Sequence, residues 1–132
     1  MSLLIDEFAG WLEVQGQGSV GATIFKLHRP SSPLVCVSLH ATGGYPRPRY
    51  GVRELPTVQL VARAAGPREA LATAYASYNL LPRKGGVTLG GLHAFTVEAM
   101  NSPVYVGEEE TAAGTAHLAS FNLAFDLRRP SS

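Results

Sequence analysis

The spacing of apolar positions changes several times along the chain, and each change marks an element. Leu4, Phe8, Trp11 and Leu12 recur at the i, i+4, i+7, i+8 spacing of a single helical stripe. This predicts a first helix to about Gln15, capped by Ser2, with Asp6 and Glu7 near the positive end of its dipole. Gly16, Gly18 and Gly21 break it, Ala22 to His28 is a candidate short strand, and RPSSP at Arg29 to Pro33 is a turn. From Leu34 to Ala41 the period is two, with Val35, Val37 and Leu39 on one face and Leu34, Cys36 and Ser38 on the other. Both faces are largely apolar, which predicts a central strand, or one whose second face a neighbouring subunit covers. Thr57 to Ala64 sets Val58, Leu60 and Ala62 against Thr57, Gln59 and Arg63, the pattern of a strand with one wet face.

Pro67 at the first turn after Gly66 starts a second helix to about Leu80, with Ala70, Leu71, Ala74, Tyr75, Tyr78 and Leu81 on one face, and Pro82 stops it. Glycine pairs bracket the short run Val87 to Leu89. From His93 to Met100, Phe95, Val97 and Ala99 alternate with Thr96 and Glu98, and Pro103 interrupts that strand. Val104 to Val106 and Ala116 to Leu127 read as the arms of a final hairpin around Glu108 to Gly114, with Phe121, Leu123 and Phe125 facing inward. The sum predicts an α+β fold: a mainly antiparallel sheet with two helices packed on one face, as a single domain over residues 1–127, followed by a flexible tail at 128–132.

At 132 residues the chain can bury one core without staples. Its single cysteine, Cys36, lies in an apolar run and is expected to be buried; it cannot form an internal disulfide or a cysteine-based zinc site. Eleven basic and ten acidic residues leave a net charge of +1, without the broad basic field of a dedicated nucleic-acid binder. No segment approaches the roughly 20 apolar residues that span a bilayer, and the acidic start is unlike a secretory signal, so an intracellular soluble product with no membrane partner is expected.

The sequence offers little chemistry. His28, His40, His93 and His117 form no metal-ligand spacing, and the only aspartates are Asp6 and Asp126. GGYPRPRYG lacks the Lys and Ser or Thr of a phosphate loop, and its prolines remove amides that a cradle would need. No nucleophile elbow occurs. Three consecutive glutamates on a hairpin tip are expected to be solvated. The reading is therefore a non-enzymatic protein with no cofactor and no metal.

The remaining signal is a pair of charged projections. Tyr45, Arg47, Arg49, Tyr50 and Arg53 fall in one long loop, while Glu108, Glu109 and Glu110 follow Tyr105 in another. Arginine and tyrosine favour protein contacts, and opposite charges on separate loops suit head-to-tail attraction between identical subunits in a ring. The same loop residues could instead touch a nucleic-acid backbone.

The order of EVQGQGSVGATIF, a strand running into ATGGYP, then ELPTVQLVARA, a helix, and SPVYVGEEE before FNLAF resembles the tail terminator or minor capsid (tail completion) proteins of bacteriophages. The similarity runs from about Leu3 to Leu127 and is weakest over Leu80 to Gly91. It implies a virion structural protein, made in the bacterial host cytoplasm and placed at the head-proximal end of the tail. Such a protein caps the tail tube, stops its polymerisation and joins it to the head, acting as a homo-oligomeric ring, commonly a hexamer. The implied partners are the tail-tube protein and a head-completion or connector protein, with DNA only passing through the lumen. The family pattern falls on Thr42, Gly43, Gly44, Tyr45 and Pro46, on Pro56, Thr57 and Gln59, and on Ser102, Pro103, Tyr105 and Gly107. A connector beneath the portal is the alternative within the same machinery, and a small-molecule-binding or enzymatic α+β domain the alternative from another class.

Overall fold

A computed structural model of the chain describes residues 3–43, 53–82, 86–89 and 92–128. In order along the chain come α1 (Leu4–Val14), β1 (Ile24–Lys26), β2 (Cys36–Ala41), β3 (Arg53–Glu54), β4 (Thr57–Ala64), α2 (Pro67–Tyr78), β5 (Val87–Leu89), β6 (Leu92–Ala99), β7 (Val104–Thr111) and β8 (Gly114–Arg128). Leu3 occupies the cap position of α1 without a side-chain bond; the expected cap, Ser2, lies outside the described residues.

Among the described residues the eight strands form one sheet in the order β1-β2-β4-β8-β6-β5, with β3 and β7 also paired to β8. β8 is the spine. Its 15 residues are long enough to pair on one edge with β4 and β3, and on the other with β7 along its first half and β6 along its second. The strand pairings are antiparallel except that of β1 with β2, which is parallel, so the sheet is mainly antiparallel as expected. The parallel pair follows from the connection: residues 27–35 carry the chain back across the sheet before β2 begins, so β2 sets off in the direction of β1.

The period-two pattern of β8 decides where the helices sit. Ala119, Phe121, Leu123, Phe125 and Leu127 are all buried on one face. α1 seats Phe8 edge-on against Phe125, with ring centroids 5.3 Å apart, and α2 seats Tyr78 edge-on against Phe121 at 5.6 Å. Both helices therefore cover the same face, and Val37, Leu39, Val58, Leu60 and Ala62 complete the core between them. Burying each of the large side chains contributes about 1.5–3 kcal/mol relative to exposure. The α1 stripe extends to Ile5 and Ala9 as well. On α2 the predicted face is only partly correct, because the close approach to β4 and β8 is made by Ala70, Ala74 and Ser77. Tyr75 is 40% exposed and rests its ring edge-on against Tyr78.

Two further expectations change. Val35 precedes β2 and is exposed, so the buried face begins at Val37. In β6 a bulge between Ala94 and Thr96 shifts the alternation, so that Ala94 and Val97, three residues apart, both face the core; the side chain of Phe95 lies outside the described set. The tail residues 129–132 also lie outside it.

Candidate assembly interface

The final hairpin differs from its predicted form in a way that matters for charge. β7 continues through the glutamates to Thr111, and the turn is only Ala112 and Ala113, closed by Gly114 at φ +120°, a left-handed conformation that favours glycine. Glu108, Glu109 and Glu110 are thus strand residues opposite His117, Ala116 and Thr115, not a solvated tip. Alternation then separates them: Glu108 and Glu110 share one face and Glu109 takes the other.

Glu109 lands on the face that carries Arg63, and Arg63 is the second correction. Its place in the alternating pattern of β4 predicted a wet position, yet it is fully buried. The segment 29–35, with its Ser32-Pro33 cis peptide, folds over this corner of the sheet. Arg63 binds it from below: Nε donates to the Leu34 carbonyl at 2.8 Å, and Nη2 donates to the carbonyls of Pro33, at 2.8 Å, and Pro30. Its Nη1 donates to Glu109 Oε1 at 2.7 Å, while Arg29 Nε donates to Oε2 of the same carboxylate at 3.0 Å. The two guanidinium groups, Arg29 first, hold the Glu109 carboxyl below the usual carboxylate range. A proline-rich stretch carries more carbonyl acceptors than amide donors, and an arginine is the side chain with donors to spare. An arginine inside the apolar run LVARAA was the sequence signal for this arrangement. Cys36, cross-strand from Arg63, is buried, and burial pushes its thiol pKa up, so it is held as the unreactive thiol.

The other edge of β7 carries no strand among the described residues, where β7 pairs only with β8. Val104, Tyr105 and Val106 are 53%, 39% and 58% exposed, an apolar run at the start of an eight-residue edge strand. A bulge between Tyr105 and Gly107 leaves Val106 without a partner on β8, and Gly107 adopts φ +146° to accommodate it. The Tyr105 hydroxyl lies 2.9 Å from His117 Nδ1, which fixes the ring over the hairpin.

Of the predicted contact residues, the structure brings Tyr105, Glu108, Glu109 and Glu110 together on β7. Arg53 opens β3, paired with Arg128, although its side chain is outside the described set. Tyr45, Arg47, Arg49 and Tyr50 lie outside the described residues. Several positions of the family pattern act on backbone shape: Thr42 Oγ1 meets Thr57 Oγ1 at 2.6 Å across the loop base, and the Pro56 carbonyl accepts the Phe125 amide at 3.0 Å.

Other features on the surface are less developed. An open groove of about 470 Å³ beside α1 and β5 is lined by Asp6, Glu7, Gly10, Trp11 and Glu13, with Asp6 paired to Lys26 at 2.9 Å and Glu13 accepting the Val20 amide. His40 Nε2 lies 2.9 Å from the buried Ser38 hydroxyl, and burial lowers the His40 pKa. Among the described residues no three of His, Cys, Asp and Glu are placed to hold a metal ion, and no helix is long and apolar enough to cross a membrane.

No curated protein matches the chain. A protein-family model does match it, over residues 11–128, which takes in the C-terminal end of α1, all of α2 and every strand through to the end of β8; its description is "Bacteriophage tail terminator protein", and the chain belongs to that family.

Proposed function

We propose that this tail protein acts as a ring that caps the tail tube, stops its polymerisation and presents the surface to which the head is joined. The family match over residues 11–128 carries the reading. A structural role in the phage tail follows from the family itself, and places the chain in the virion among other virion proteins. The hexameric ring, the tube partner and the head-proximal position are the further steps proposed here. The long edge strand with an exposed apolar start and an acidic end supports them, since it offers backbone pairing and charge on one accessible element. The role is non-enzymatic on this reading, and DNA meets the protein only in passage.

Deletion of the gene, followed by electron microscopy of the particles, tests the proposal. Overlong tails detached from filled heads are the expected outcome. Tails of normal length lying beside unattached heads would assign the protein to the connector, and intact particles would remove both roles.

A further inference from the structure

One corner of the sheet is covered on the face turned away from the helices. Val37 and Leu39 of β2 belong to the core beneath the helices, so Cys36 and Ser38, which alternate with them, point the other way. Arg63, cross-strand from Cys36, shares that second face. All three are nevertheless buried. Residues 29–35 lie over them, since the carbonyls of Pro30, Pro33 and Leu34 all accept from the Arg63 guanidinium.

The attachments of this segment are few. Among the described residues, 28–35 make no backbone–backbone hydrogen bond to any other part of the chain. The segment is tied down by the Arg63 donors and by the pair of Arg29 with Glu109, whose carboxylate also takes Arg63 Nη1 at 2.7 Å. Its two ends are not packed. Leu27 and Val35 are both exposed, and Leu27 adopts φ +67°, a left-handed conformation that costs a leucine about 1–3 kcal/mol and that clusters where chains switch. The surface beneath carries a thiol, a hydroxyl and a guanidinium. Water can hydrate those groups, so lifting the segment costs much less than lifting a helix off the apolar face.

We propose that residues 29–35 are a hinged cover, latched by the Glu109 carboxylate, which opens as a unit while the rest of the sheet stays folded. Leu27 and Val35 are the hinges. Opening releases Arg29 and Arg63 together, so the open form presents two guanidinium groups that the closed form holds against its own carboxylate and carbonyls. The latch is a side chain of β7, and closure therefore depends on the order of that strand.

Cys36 reports the opening, and its neighbour supplies the control. Val37 faces the apolar core, so Val37→Cys in a Cys36→Ala chain is exposed only by global unfolding. Labelling by methyl methanethiosulfonate, followed by mass spectrometry, is expected to modify Cys36 at least about tenfold faster than the core site, at a rate flat in low urea. The core site should instead follow the steep urea dependence of global unfolding. Glu109→Gln is expected to raise the Cys36 rate about tenfold, as loss of a hydrogen bond to a charged group does, and to leave it flat in urea. Gly114→Val, which perturbs β7 at its turn, is expected to raise it by a smaller factor. Equal rates at the two sites, a Cys36 rate as steep in urea as the core site, or one unmoved by Glu109→Gln overturns the cover. A Cys36 rate that responds to Glu109→Gln and not to Gly114→Val overturns the dependence on β7.

Discussion

Replacing Glu109 by leucine removes the one carboxylate that, among the described residues, pairs with the buried Arg63 guanidinium, and leaves the neighbouring backbone in place. Arg63 is fully buried, whereas the Glu109 side chain is 26% exposed. Removing one partner of a fully buried pair costs about 3–5 kcal/mol, because the remaining charge is left without compensation. Here Nε and Nη2 keep their carbonyl acceptors at Leu34, Pro30 and Pro33, and water reaches one side of the carboxylate, so the cost falls to roughly 2–3 kcal/mol. For a domain of this size that corresponds to a fall in Tm of about 10 °C. Urea unfolding of Glu109→Leu beside Glu108→Leu measures it, and the latter should stay within about 0.5 kcal/mol of wild type, as surface substitutions do. Acid sharpens the test. The Glu109 carboxyl has its folded pKa held below the ordinary 4.5, so the folded state binds fewer protons than the unfolded chain. Its contribution is complete above pH 4.5 and is lost as pH falls through the folded value. The stability gap between wild type and Glu109→Gln should therefore narrow below pH 4.5. A Glu109→Leu loss no larger than that of Glu108→Leu, or a gap that is flat in pH, would refute the account of the cluster.

Three other outcomes follow from the packing. Phe121→Ala removes the ring that α2 rests on through Tyr78 and should lower stability by about 3–5 kcal/mol in chemical denaturation; a loss below about 1 kcal/mol would mean that α2 does not anchor there. Gly114→Val forces a β-branched residue to the left-handed φ of +120° and should cost about 1–3 kcal/mol while fraying the β7–β8 turn, seen as faster amide exchange in both strands. His40, whose folded pKa burial depresses, should titrate with an NMR midpoint below 6.5, and its contribution to stability is present above pH 6.5 and lost as pH falls through the folded value. A midpoint at or above 6.5 would contradict its placement.

What the sequence determined by itself was whatever depends on neighbours close along the chain. β4 runs from Thr57 to Ala64 as its alternation predicted, α2 begins at Pro67, and the inward set Phe121, Leu123 and Phe125 is the set that is buried. A period of two or 3.6 fixes which side chains share a face, and a proline or glycine fixes where a period ends, so these elements were legible. The family motifs were legible for the same reason, being short runs of contiguous residues. Only the tertiary structure decided what covers each face. Arg63 sits on the predicted polar face of β4, yet residues 29–35 fold over that face and bury it, a contact between segments 30 residues apart. Glu109 reads in sequence as the middle of a solvated acidic run. It becomes an ion-pair partner because β7 continues past the expected turn and its pleat aims that one carboxylate at two arginines. Periodicity records the side of a strand on which a residue lies; what lies beyond that side is set by long-range pairing and the path of the loops.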